Sequence, residues 1–241
     1  MKNQFIYAML FMASIMGGVP SVLGQDTEEE KPKNRHHHTD SDFKLDIGMN
    51  NYLENGQFPD ENGALYGVKP WGSWYVAMGT VYKSHIAGPL HLEWGGDVSW
   101  QNYKFINESV NILSTPTGIE FIENTDATMI SKKSKLTATF VNGSIVPLIR
   151  FGSKRKSIRA GAGVYGGYKI HSFSKYVYNF EGQTIKDRNS ENYYINNLQY
   201  GLRLRFGYRD FDLFANYSLT SLFVEGKGPQ LQPVSIGFTF H

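Results

Sequence analysis

The sequence predicts an all-β fold, an eight-stranded antiparallel up-and-down transmembrane β-barrel, on three observations. Apolar and polar side chains alternate with a period of two in eight segments of the 241-residue chain, as in strands with one apolar and one polar surrounding. The links between segments alternate long and short, the pattern of a barrel with long loops at one end and tight turns at the other. The polar face mixes charges with glycine and serine, which suits a narrow interior better than a water-facing surface rich in long Lys and Glu.

The chain opens with Lys2, an apolar run from Phe5 to Met16, then Gly17, Gly18 and Pro20, and Val22-Leu23-Gly24 before Gln25. Residues 1–24 therefore read as a secretory signal peptide; the run is too short to span a membrane as a helix. Residues 25–42 are crowded with charge, including Glu28-Glu29-Glu30 and His36-His37-His38. They read as a disordered periplasmic leader to a barrel domain at 43–241.

The strands are expected at 43–52, 73–86, 90–105, 135–151, 157–173, 197–209, 211–223 and 231–241. Lys44 and Asp46 lie on the polar face of the first and Lys83 on that of the second. In 90–105, Leu90, Leu92, Trp94, Val98 and Trp100 oppose His91, Glu93, Gly95, Asp97 and Ser99. Segment 135–151 changes phase, from Leu136, Ala138 and Phe140 to Ile145, Ile149 and Phe151, which predicts a bulge near Asn142-Gly143. Segment 157–173 is glycine-rich and carries Arg159 and Lys169. In 197–209, Leu198, Tyr200, Leu202, Leu204, Phe206 and Tyr208 oppose Gln199, Gly201, Arg203, Arg205, Gly207 and Arg209. In 211–223, Leu213, Ala215, Tyr217 and Leu219 oppose Asp212, Asn216, Ser218 and Thr220. The last segment sets Val234, Ile236, Phe238 and Phe240 against Ser235, Gly237 and Thr239.

Aromatic residues gather at both strand ends, as in the two girdles that bracket a bilayer. Trp71, Trp74, Trp100 and Tyr103 mark the long-loop end, joined by Phe173, Tyr176, Tyr193 and Tyr194. Tyr208, Phe211, Phe238 and Phe240 mark the other. Several classes of protein are excluded. There is no cysteine, hence no disulfide scaffold and no thiolate chemistry, and 24 Lys+Arg against 22 Asp+Glu argue against nucleic acid as a partner. No later stretch is long enough for a transmembrane helix.

The signal peptide is followed by Gln25, and the chain carries the run Ala160-Gly161-Ala162-Gly163-Val164-Tyr165-Gly166-Gly167-Tyr168, the element Ile145-Val146-Pro147-Leu148 and the closing Val234-Ser235-Ile236-Gly237-Phe238-Thr239-Phe240. On these, residues 43–241 resemble the Bacteroidetes-type outer-membrane β-barrel (porin-like) family. The resemblance implies a Gram-negative outer membrane after signal-peptide cleavage, with outer-membrane lipid and the barrel-assembly machinery as partners. A terminal aromatic is similar to the signal that such machinery reads, and this chain departs from it by one residue, His241. The resemblance transfers no catalytic residue.

The candidate site is a lumen charge network of Asp46, Glu93, Asp97, Arg159, Lys169, Arg203, Arg205 and Asp212, with Lys44, Lys83 and Arg209 on the same face. Charges withdrawn from water persist when paired and hydrogen-bonded, so mutual neutralisation in a packed lumen is the expectation. An anion-preferring pore is the alternative. His171, Ser172 and Ser174 with Glu181 and Glu191 could supply a Ser-His-acid set for a lipid-modifying enzyme, although nothing fixes their spacing. His36-His37-His38 with Asp40 and Asp42 lack the geometry of a metal site. The loop 106–134 is unusually apolar, with Ile112, Leu113, Ile119, Phe121 and Ile122, and is read as strand extension or a partner surface. The expected role is structural or interactive, with long external loops presented to a ligand or partner; a narrow channel, a lipid-modifying enzyme and an accessory barrel of a secretion system remain as alternatives. No catalytic residue, cofactor or metal is expected.

Overall fold

The computed structural model describes residues 39–59, 63–152, 157–209 and 211–241. The signal peptide, leader residues 25–38 and His36-His37-His38 lie outside the described residues. The strands are β1 (Thr39–Glu54), β2 (Trp74–Ala87), β3 (Leu90–Lys104), β4 (Val110–Ser114), β5 (Ile119–Glu123), β6 (Met129–Phe151), β7 (Ile158–Phe180), β8 (Gln183–Asn189), β9 (Leu198–Tyr208), β10 (Phe211–Ser218) and β11 (Leu231–Phe240). Eight of them close a ring in the order β1-β2-β3-β6-β7-β9-β10-β11, each neighbour antiparallel, and β11 returns to β1 from Leu45↔Phe240 to Glu54↔Leu231. The fold is thus an all-β, eight-stranded up-and-down barrel, as the alternation predicts. β4 and β5 form a separate hairpin, and β8 pairs only with the far end of β7.

Several boundaries move for identifiable reasons. β1 starts at Thr39, so the leader gives way to strand four residues early; Thr39 to Asp42 pair with Ser84 to Val81, and Lys83 meets Asp42 at 2.9 Å. β10 stops at Ser218, because Leu222 and Phe223 turn away from the wall and are buried. β6 and β7 run for 23 residues each, well past the rest of the wall. β7 then reverses at Glu181-Gly182, both at positive φ (49° and 79°), the left-handed pair that a two-residue hairpin needs.

The phase change in β6 is not a bulge at Asn142-Gly143: pairing to β3 runs unbroken from Leu90↔Ile149 to Lys104↔Lys135. Leu136, Ala138 and Phe140 point inward and are buried, whereas Ile145, Ile149 and Phe151 point outward and are exposed. The interior itself changes from polar in the middle to apolar at the loop end, so the greasy residues swap faces along a regular strand. A bulge does occur one strand over. Thr139 pairs with His171 and Phe140 with Lys169, leaving Ile170 extra.

The apolar loop end is a sealed cap. Tyr52, Tyr103, Phe105, Leu136, Phe140 and Leu231 from the strand ends meet Val68, Tyr193, Ile195, Leu222 and Phe223 from the connections. The β4–β5 hairpin lies over them, with Val110, Ile112 and Ile119 buried and the Phe121 ring 5.8 Å from that of Phe105. Val110, Ile112, Ile119 and Phe121 therefore help close the barrel mouth, Leu113 and Ile122 stay exposed, and the end of the segment, from Met129, extends the wall as the start of β6. Ile195 bridges to Phe223, and Leu222 N–H donates to the Leu231 carbonyl at 2.7 Å, which ties the loops into one layer. Each fully buried apolar side chain stabilises such a layer by about 1.5–3 kcal/mol.

At its rim, Glu108 accepts from Lys69 at 3.2 Å and lies 3.4 Å from Lys104. Burial pulls the Glu108 pKa up, and the two lysines more than reverse this, leaving it below the ordinary value. A depressed carboxyl contributes stability that is present above its unfolded pKa and lost as pH falls through the folded one. Acidification below about pH 4 is accordingly expected to lower the protection factor of the Ile106 amide, which donates to Gly67 beside this bridge, its exchange being measured relative to the intrinsic rate at each pH. Phe105→Ala is expected to cost about 3–5 kcal/mol by opening a cavity in the cap, measured from the denaturant midpoint of the refolded barrel.

Candidate functional site

Alternation points every second residue of each ring strand into a lumen too narrow for bulk water. On β1 this places Lys44 and Asp46 inside, both almost fully buried. Asp46 accepts from Arg203 on β9 at 2.5 Å and from Thr239 on β11 at 2.6 Å, and lies 3.9 Å from Arg205 and 3.7 Å from Lys44. Lys44 donates to Asp97 on β3 at 2.5 Å, and Asn142 on β6 donates to the other Asp97 oxygen at 2.7 Å. Arg205 lies 3.4 Å from Glu93 and donates to Thr239. These contacts cross from β9 to β1 and β3, so they span the lumen. Above them Gln101 donates to Gln199 at 2.9 Å, again from β3 to β9.

A second pair closes the other end of the lumen. Arg159 lies 3.1 Å from Asp212 and donates to the Arg209 carbonyl at 2.7 Å, with His241 3.4 Å from Asp212. Between their strands stands Gly207, where a Cβ would meet Asp212 Oδ1 at 2.2 Å and Arg159 Nε at 2.6 Å. The missing side chain is the room in which the ion pair sits.

Of the eight expected network residues, Asp46, Glu93, Asp97, Arg203 and Arg205 meet in mid-lumen and Arg159 and Asp212 pair at its other end. Lys169 joins neither group. It sits beneath the cap, donating to Asn192 Oδ1 and the Ile195 carbonyl, because it points inward level with Phe140, above the charged middle of the lumen. Arg209 also leaves the expected set, since it occupies the β9–β10 turn at φ 54°. Sequence reasoning missed Phe214, an apolar residue on the polar face. It is buried against Tyr75, ring centres 5.4 Å apart, with the Arg203 guanidinium 5.2 Å above its ring.

The outer face is apolar. Leu202, Leu204, Phe206, Ile236 and Phe238 are about half exposed. Of the expected girdle, Trp71, Trp74, Tyr208, Phe211, Phe238 and Phe240 are exposed on the outside and Trp100 is partly so. Tyr103 is a correction, being fully buried in the cap with its hydroxyl donating to Gln101 at 2.9 Å. Tyr176 and Tyr193 turn inward likewise.

His171, Ser172, Ser174, Glu181 and Glu191 do not assemble into a Ser-His-acid set. Past the bulge, Ser172 and Ser174 point inward, where Ser172 donates to the Glu191 carbonyl at 2.6 Å and Ser174 bonds the Tyr193 hydroxyl at 2.7 Å. His171 points outward beside Phe173. A cavity of about 310 Å³ touches Lys169, His171, Ser172 and Glu191, and Ser172 there donates to a backbone carbonyl rather than to His171. Among the described residues no group of three or more His, Asp or Glu side chains could hold a metal ion.

Apolar outside, charged inside and closed on itself, the chain has the construction of a membrane β-barrel. No family model matches it, and no curated protein does. Among solved structures it is similar to Ail, the attachment invasion locus protein of Yersinia pestis. One structure of Ail, with the heparin analogue sucrose octasulfate, aligns at 14% identity and TM-score 0.32, covering 83% of this chain and 97% of that one. Another aligns at 14% identity and TM-score 0.30, covering 85% and 100%. The barrel assignment stands on the strand pairing of this chain itself.

Asp46→Ala is expected to cost about 3–5 kcal/mol, because it strands the buried Arg203 charge, while Gly207→Ala should cost about 1–3 kcal/mol by driving Arg159 from Asp212. Urea midpoints of the folded barrel would show both losses, the first larger.

Proposed function

We propose that this protein is a non-conducting outer-membrane barrel of a Gram-negative cell, of the Bacteroidetes type that its motifs resemble, with a structural or interaction role at the cell surface. The observation that carries this is the inversion of the barrel together with its sealed interior. The outer face of β6 is mostly apolar from Val141 to Phe151 and that of β7 from Ile158 to Ile170, and about 9–11 residues suffice for a tilted strand to cross a bilayer. Exposing such a belt to water would be costly; contact with lipid removes the cost.

The lumen supports the non-conducting part. Charges paired across it fill the middle, and the cap closes the loop end with Tyr103, Phe105 and Leu231 at no more than 1% exposure. What remains to face a partner is the outer surface of the cap and the arm made by the far ends of β6, β7 and β8. Outer-membrane lipid and the barrel-assembly machinery are the further partners this reading requires. A lipid-modifying enzyme lacks its assembled nucleophile and base, and the reading gives the protein no catalytic role. Service as an accessory barrel of a secretion system is a special case of interaction through the same surface.

In planar bilayers the refolded protein is expected to insert without steady conductance steps. Reproducible single-channel openings from the wild type would make it a narrow pore instead.

A further inference from the structure

Beyond the rim, the arm aligns basic residues across strands. Lys104↔Lys135, Lys135↔Lys175 and Lys175↔Arg188 are successive register partners on β3, β6, β7 and β8. One row further out, Lys133 pairs with Val177 and Val177 with Lys186. Partners in register share a face, and this one continues the outward face that carries Phe173 and, lower down, the apolar belt. Lys104 already has Glu108. Among the described residues none of Lys133, Lys135, Lys175, Lys186 and Arg188 forms an ion pair; Asp187 lies on the opposite face of β8, opposite Tyr176.

Like charges directly opposite one another destabilise a sheet, so base against base on adjacent strands calls for an anion. Two features shape a site for one. The Phe173 ring is a platform, with the Arg188 guanidinium 3.8 Å and the Lys135 ammonium 5.5 Å from its centre. Lys135 is also steadied by the Asn102 side-chain oxygen at 2.8 Å. Burial foremost, and then the neighbours Lys133, Lys175 and Arg188, pull the Lys135 pKa down to about 8.

The position selects the occupant. On β6 the outward stripe ends at Val141 and passes through Thr139 and Thr137 to Lys135; on β7 it ends at Ile170 and passes through Phe173 to Lys175. Apolar belt, aromatic ring and basic row follow one another as hydrocarbon, interface and headgroup do in a leaflet. We propose that Lys135, Lys175 and Arg188, flanked by Lys133 and Lys186, bind the phosphate groups of an outer-leaflet glycolipid whose acyl chains lie along the belt of β6 and β7. This rests on the membrane reading above. Arg188 offers the planar fork that matches a phosphate, and the lysines add mobile charge.

The test compares the full chain with the triple variant Lys135→Gln, Lys175→Gln, Arg188→Gln and with Arg188→Gln alone, each folded in neutral detergent. Binding is measured by native mass spectrometry to bisphosphorylated lipid A, to its dephosphorylated form and to a soluble sulfated hexasaccharide. The wild type is expected to prefer phosphorylated lipid, the single variant to weaken it, and the triple variant to lose about tenfold to a hundredfold in affinity, with the preference shrinking as salt rises. Equal binding by wild type and triple variant, indifference to the phosphates, or tighter binding of the sulfated sugar than of the lipid would overturn the proposal. A triple variant that does not fold leaves the single variant and the dephosphorylated lipid to decide. Wild-type protein that inserts in bilayers but shows no phosphate preference refutes this site alone, whereas protein that stays dissolved without detergent refutes the membrane reading beneath it.

Discussion

One buried carboxylate holds the barrel to its shape. Asp46, with no measurable exposure, is reached from β9 by Arg203 and from β11 by Thr239, and Lys44 beside it reaches β3. A sheet closed with its apolar face outward must put its polar face where water is scarce, and a charge there is tolerable only with partners on several sides. Closure of β11 on β1 and the filling of the lumen are in this sense one event. The glycines follow from the same constraint, since Gly207 yields its side-chain volume to Arg159 and Asp212.

The two ends of the lumen solve the closing problem differently. At the tight-turn end, Arg159, Asp212 and His241 meet close to the Arg209 turn. At the loop end the connections fold inward as an apolar layer. Among the described residues, the surface at this end is the outside of the cap and a projecting arm formed by the far ends of β6, β7 and β8.

Much of this was legible in the sequence. The two faces of β9 could be written down from alternation alone, because its apolar residues stay on one face from end to end, and those of β11 likewise from Val234 to Phe240. β6 misled for a physical reason: its inner face is polar near Asn142 and apolar near Phe140, so a regular strand imitates a bulged one. The real bulge at Ile170 leaves no trace in the alternation, and it swaps the faces of the residues beyond it, turning Ser172 and Ser174 inward and His171 outward. Tyr103 illustrates the same limit, since an aromatic at a strand end reads as girdle whether it faces lipid or a cap built from residues far along the chain. The basic row was hidden because Lys135, Lys175 and Arg188 become neighbours only through pairing, two of them in what the sequence presents as a loop.

The direction of the sheet's faces underlies all of these conclusions, and a nitroxide attached at position 236 in place of Ile236, in protein reconstituted into phospholipid bilayers, reads it directly. Its electron paramagnetic resonance signal should relax by collision with molecular oxygen dissolved in hydrocarbon far more than with a water-soluble nickel chelate. Preferential relaxation by the nickel chelate, or an immobile label shielded from both, would contradict a lipid-facing wall.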